Sequence, residues 1–228
     1  MNKLFKECKK GIKANIVPGL ILQAFAVSIV ICYYNFDSVQ SFCNSIAQMK
    51  EEHGYLFSAL STALFGGFLP FLYLIYSKRV TKKQMISHGL FYSLFWFLKG
   101  IEVDFFYRMQ ALLFGVETNF ATISKKVLMD QFCYNLFYAG ASMTLIYLWK
   151  DSEFSYKKLK ESLSRETFTI TIPAVIVSSW IVWVPATAII YSLPSSLQLP
   201  LFNIVLCFFV LIVATLCTSE ESLETIDA

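Results

Sequence analysis

The chain has 228 residues, of which 56% are hydrophobic and 15% charged, and a formal net charge of +3. A soluble domain carries roughly a quarter charged residues, so this composition excludes an ordinary water-soluble fold. The small net charge excludes nothing by itself and gives no sign of nucleic-acid binding, but its distribution along the chain is informative.

Apolar runs recur at lengths that cross a hydrocarbon core of ~30 Å as helix. An all-α, polytopic membrane bundle of about six spans is expected, with five as the alternative. A basic stretch, residues 1–15, precedes a first span at 16–34. That run is too long for the core of a signal peptide and lacks a small-residue cleavage site, so it reads as a retained signal anchor. Residues 35–54 place Phe36, Val39, Phe42, Ile46 and Met49 at spacings of three and four. This amphipathic segment is too short and polar to span and is expected at the membrane interface.

A second span, 55–76, carries Ser58, Thr62 and Gly66 in one register and Ala59, Ala63 and Gly67 in the next. Small residues four apart let helix backbones approach closely. Pro70 is expected to kink the helix. A basic connection, 77–84, leads to a third span from Met85. It contains Lys99, Gly100, Glu102, Asp104, Tyr107 and Arg108. Lys99 and Glu102, three apart, share a face, whereas Asp104 and Arg108, four apart, pair on another side of the helix. Ionisable groups inside a span mark functional candidates, and these four either line a polar path or end the helix at the headgroups.

Residues 116–126 read as a polar connection and 127–149 as a fourth span. In it Gln131, Asn135, Tyr138 and Ser142 fall on one helical face, with Asp130 in the opening turn. After a mixed-charge segment, 150–166, a fifth span at 171–193 sets Trp180, Trp183, Thr187 and Tyr191 along one face around Pro185. A mid-span proline frees the carbonyl four residues earlier and is expected to bend or open the helix. Pro194 turns the chain into a sixth span, 197–216, with Gln198 and Asn203. The acidic tail, 217–228, is expected to be disordered.

Chemistry-bearing motifs are few. The six cysteines are scattered without a CxxC pair, and the two histidines, His53 and His88, have no partner at metal-ligand spacing. No nucleophile elbow or phosphate-cradling glycine loop is present. The expectation is a non-enzyme with no cofactor and no metal, whose partners are the lipid bilayer, a small unknown solute and further copies of itself, and not nucleic acid. The pathway candidates are Lys99, Glu102, Asp104, Tyr107, Arg108, Asp130, Gln131, Asn135, Trp180, Trp183, Thr187, Gln198 and Asn203. The packing or kink candidates are Gly66, Gly67, Pro70, Gly100, Pro185 and Pro194.

Residues 100–216 carry a set of ordered short blocks. Lys125-Lys126-Val127-Leu128-Met129-Asp130-Gln131 fits a KKxLxDQ block. Gly100 and Tyr107 fit the ends of a GPxxHxWY block, with Asp104 and Phe106 at its His and Trp positions. Trp183, Pro185 and Pro194 follow in order, with Gln198 at an arginine position and Asn203 at an amide position. Thr187 and Ile190 stand where a Gln and an Asn are usual. In these blocks the chain resembles the Mpv-17 / 22-kDa peroxisomal membrane protein family, in its bacterial branch, with residues 16–99 outside the match. The resemblance implies a small multi-pass membrane protein, channel-like or else a non-conducting assembly or structural protein that binds a partner or lipid. It implies a bacterial inner membrane, or a mitochondrial inner or peroxisomal membrane in a eukaryote.

Lysine and arginine are biased to one side. Residues 1–13, 77–84 and 150–166 hold five, four and five of them, against four in the opposite connections, so both termini are expected in the cytoplasm. Single cysteines at positions 52 and 221, in a chain with no others, are expected to label from opposite sides of the membrane. Equal access from one side contradicts this topology.

Overall fold

The computed structural model describes residues 2–224, with side chains described from 3 to 213. Among these residues the chain is helical without strands: α1 Asn2–Asn35, α2 Asp37–Thr62, α3 Leu69–Tyr76, α4 Met85–Phe114, α5 Phe120–Leu128, α6 Gly140–Asp151, α7 Tyr156–Ser162, α8 Ile172–Tyr191 and α9 Ser195–Glu224. Wide π-type turns at Ala63–Phe68, Met129–Ala139 and Thr167–Thr171 join α2 to α3, α5 to α6, and lead into α8. The chain is thus an all-α membrane bundle. Lys3–Asn35, Asp37–Tyr76, Thr167–Tyr191 and Ser195–Val213 are long and apolar enough to cross a membrane. The two other long rods, α4 and residues 120–151, have the length but hold most of the buried ionisable groups.

Side-chain contacts set the directions of the rods. Lys3 pairs with Glu166 at 2.6 Å, and the Tyr34 hydroxyl donates to the Ser192 carbonyl at 2.8 Å, so α1 and α8 run parallel. Gly100 lies against Ser58 and Thr62 while Gly67 lies against Tyr92, so α4 runs antiparallel to α2 and α3. Lys50 meets Ser195 and Thr62 meets Asn203, which aligns α9 with α2. The result is an up-and-down bundle, with α9 heading back toward the end where α1 begins. The acidic tail starts within α9, and residues 225–228 lie outside the described residues.

The core is apolar and tight. Leu22 and Ala26 of α1, Val182, Ala186 and Ile190 of α8, and Leu199 and Val205 of α9 have no exposed surface. A second cluster sets Phe71, Tyr92, Phe95, Trp96 and Leu206 together. Large apolar side chains also cover the outside, including Leu90, Leu112 and Phe137, each exposed over two thirds of its surface. Such a surface suits hydrocarbon and would aggregate in water.

The small-residue registers do what their spacing predicts. A Cβ on Gly100 would overlap the Ser58 carbonyl and come within 2.8 Å of Thr62 Cβ, and one on Gly67 would lie 2.6 Å from the Tyr92 carbonyl oxygen. Gly66 in turn accommodates Trp96 and Leu206.

Three expectations need correcting. Residues 116–126 are not simply a connection, because Asn119 caps a helix at Phe120, its side chain accepting from the Thr122 amide at 2.9 Å. Asp130 therefore lies about three turns inside a helical rod rather than in its first turn. Pro70 lies inside the helical rod Asp37–Tyr76, and the wide turn that makes room for its ring precedes it, at Ala63–Phe68. The proline occupies the first turn of α3, and the missing i−4 bond is replaced by a wide turn in which the Leu69 amide donates to the Leu64 carbonyl. The same device precedes Pro173, where Ile172 donates to Thr167. Pro185 does not interrupt α8: the carbonyl it frees, that of Ile181, accepts Gln23 of α1 at 3.1 Å.

The helix at 37–53 is present but faces the other way from a soluble amphipathic helix. Phe36, Phe42 and Met49 point outward, while Cys43, Ala47 and Lys50 turn toward the bundle. Gly54, at φ 53° and ψ −128°, breaks α2 there and redirects the chain into the second span. That left-handed backbone suits only glycine comfortably.

Substituting Gly100→Val is expected to force α2 and α4 apart and cost about 1–3 kcal/mol. The check is a lowered unfolding midpoint in detergent; unchanged unfolding contradicts the close approach.

Candidate functional site

Asp104 is the centre of the best-built polar cluster. It has no exposed surface, so its charge needs partners. Ser58 Oγ donates to Oδ2 at 2.8 Å, and Arg108 donates to the same oxygen through Nε and Nη2, both at 3.2 Å. The Lys50 ammonium lies 3.2 Å from Oδ1 and also donates to the Ser195 carbonyl at 3.4 Å. The Oδ1 contact is an ion pair without hydrogen-bond alignment. Lys50 is itself buried, whereas the Arg108 side chain is 47% exposed and has the Tyr55 ring 5.0 Å from Cζ. One carboxylate thus holds two cations brought from either side of it.

Above this cluster opens a cleft of about 550 Å³, lined by Lys50, Glu51, Tyr107, Arg108, Ser195 and Ser196 among others. It lies at the end of the bundle where α1 finishes and α9 starts. Below it, the Tyr107 ring meets Tyr191 and Phe202 edge-on, at 5.4 and 6.3 Å between centroids. Those rings close the floor onto the apolar core.

Lys99 and Glu102 form a separate pair on another side of α4, as their spacing predicts. Lys99 is 6% exposed and bonds Glu102 directly, so it does not reach for headgroups. The Tyr134 hydroxyl also donates to Glu102, and that of Tyr138 does so at 3.3 Å. The ammonium lies 5.7 and 5.5 Å from the two ring centroids.

A third network surrounds Asp130, 7% exposed. Gln110 donates to the Tyr191 hydroxyl at 2.7 Å, which donates to Asp130 Oδ2 at 2.5 Å. Gln131 Nε2 donates to Oδ1 at 2.9 Å. Asn135 then bridges Gln131 and Ser179, at 3.3 Å each, and the Trp180 indole donates to the Gln131 carbonyl at 3.2 Å. The buried Lys126 ammonium sits 5.8 Å from the Tyr191 ring centroid. These groups lie on or against the wide turn Met129–Ala139, the one π-type segment of the three with no proline directly after it. Such segments often occur at functional sites.

The wide turn also rearranges the expected polar stripe. Gln131 and Asn135 face α8, Tyr138 joins Tyr134 at Glu102, and Ser142 bonds back to the Ala139 carbonyl at 3.1 Å. The other candidates make contacts within and between helices. Thr187 bonds the carbonyl of Trp183 in its own helix at 2.7 Å, and Trp183 packs on Phe202 and Phe209. Gln198 caps the Leu193 carbonyl at 3.0 Å, in the turn that Pro194 makes. Asn203 locks α9 to the second span through Thr62 and Ser61, at 2.8 and 2.9 Å.

Sequence reasoning missed Lys50, Ser58, Gln110 and Tyr134 as site residues; Lys50 and Ser58 contact Asp104, and Tyr55 stacks on its partner Arg108. The one available signal was Lys50 recurring with Cys43 and Ala47 at spacings of four and three. Searches of family models, curated proteins and solved structures find no match for this chain.

Removing Asp104's charge leaves two cations facing each other, one of them buried. Asp104→Asn is expected to cost about 3–5 kcal/mol. In double-mutant cycles the Asp104–Lys50 coupling is expected to exceed that of Asp104–Arg108, which solvent screens to about 1 kcal/mol or less. Equal couplings in chemical unfolding contradict the difference in burial.

Proposed function

We propose that this chain is a small integral membrane protein that passes a small solute, with the cleft as its mouth and the Lys50–Asp104–Arg108 cluster as its closed floor. The observation that carries the reading is a fully buried carboxylate holding two cations directly beneath an open cleft. Charges are expensive within a membrane bundle and are retained chiefly where an ion, a proton or a substrate passes. The cleft's size falls in the range of small-molecule sites, roughly 300–1,000 Å³. Six helices enclose little space, so a wide pore requires several copies of the chain.

The proposal is non-enzymatic and involves no cofactor or metal. The ordered blocks around Gly100–Tyr107, Lys125–Gln131 and Trp183–Asn203 support kinship with the Mpv-17 / 22-kDa peroxisomal membrane protein family. The resemblance supports a bacterial inner membrane, and the charge bias supports basic connections and both termini in the cytoplasm, with the cleft then on the outer face.

A second reading has its own support. The polar groups at Asp104, Glu102 and Asn203 are satisfied largely by one another, and tight packing closes the floor. On this reading the chain is a non-conducting assembly or structural protein. Proteoliposome swelling with a small uncharged solute such as glycerol separates the two. The pathway reading predicts flux above protein-free vesicles, altered about tenfold by Asp104→Asn or Arg108→Gln. Absence of flux, or flux untouched by either substitution, favours the structural protein.

A further inference from the structure

We infer that the cleft binds an oxyanion, a carboxylate or phosphate group, on the free edge of Arg108. This names the class of solute for the pathway proposed above and rests on that reading. A guanidinium offers five N–H donors in a rigid fork. Arg108 directs Nε and one Nη2 proton at Asp104, and among the described residues nothing accepts from its Nη1. The Asp104 contacts on one edge and the Tyr55 ring against its face hold the plane still. Arg108 lines the cleft, and its side chain is 47% exposed.

The donor chemistry of Arg108 selects the sign of the ligand. Lys50 and Arg108 are balanced in number by Asp104 and Glu51, so the preference for an anion rests on the N–H donors of Arg108 that Asp104 leaves unused. An oxyanion meets a preset fork that takes two of its oxygens at once, a geometry that neither a halide nor a neutral solute can use fully. Glu51, the acid on the cleft wall, has no ion pair with Arg108 and competes with an incoming anion only through space. Ser195 and Ser196 stand on the same wall with hydroxyls able to donate to its remaining oxygens.

Two sources present this chemistry: a free anion such as inorganic phosphate, or the phosphodiester of a lipid headgroup at the end of the bundle. The test uses the full chain in dodecyl maltoside micelles, which carry no phosphate, and labelled inorganic phosphate in equilibrium dialysis. Saturable binding is expected. Arg108→Gln is expected to weaken it about tenfold or more, and Arg108→Lys, which keeps the charge but not the fork, to weaken it nearly as much. Glu51→Gln removes the competing charge and is expected to tighten binding about threefold.

Phosphatidylglycerol added to the micelles then distinguishes the sources. Unchanged phosphate binding identifies a free oxyanion, and competitive loss identifies the lipid phosphodiester; both retain the site. The inference is overturned if the wild-type protein in micelles binds neither labelled phosphate nor added phosphatidylglycerol, or if Arg108→Gln binds like wild type. If the Arg108 variants fold poorly, Glu51→Gln decides, and unchanged or weaker binding counts against the site. Glycerol flux without phosphate binding would overturn this inference alone and leave the pathway standing.

Discussion

A carboxylate removed from all solvent, Asp104, places the strongest constraint on this bundle. Desolvating such a charge costs several kcal/mol, recovered only with well-placed partners. The surrounding chain is arranged to supply them. Gly100 lets the second span come close enough for Ser58 to donate. Gly54 turns the chain so that the preceding helix brings Lys50 down onto the same carboxylate. The start of α9 offers the Ser195 carbonyl to the other side of Lys50. Three chain segments thus converge on one acid, and the cleft is the space left above them.

The other two polar clusters follow the same logic with different means. Glu102 is held by a cation and two phenols, whereas Asp130 is held by neutral donors, with no cation in ion-pair distance among the described residues. Tyr107 links the layers: it lines the cleft, and its ring meets Tyr191, which bonds Asp130. Polar chemistry therefore gathers from the middle of the bundle toward its cleft end. Toward the other end, aromatic packing of Phe71, Tyr92, Phe95 and Trp96 fills the interior.

Much of this was legible in the residues. Run length and composition predict an all-helical membrane bundle, small residues at spacings of four predict a close helix approach, which α4 makes, and offsets along α4 separate its two ion pairs. What escaped has definite causes. The helix at 37–53 leaves Phe36, Phe42 and Met49 exposed and buries Lys50, whose partner Asp104 lies on another helix, out of reach of any local pattern. The wide turn at Met129–Ala139 departs from 100° per residue, which splits a stripe drawn at α-helical spacing. Gln23 takes the carbonyl freed by Pro185 from a helix more than 150 residues away in sequence, a pairing that no local pattern announces. Tyr134 and Gln110 likewise acquire their roles only through partners on other rods.

The central claim is that Lys50 and Asp104 hold each other across two segments at the floor of the cleft. A charge swap tests it most directly: Lys50→Glu, Asp104→Lys and the double variant, each followed by thermal unfolding in the same lipid. Both single variants place like charges together and should unfold well below wild type. The double variant should regain most of the loss. A double variant no more stable than the worse single, or a harmless Lys50→Glu, would show that the pairing does not hold the floor together.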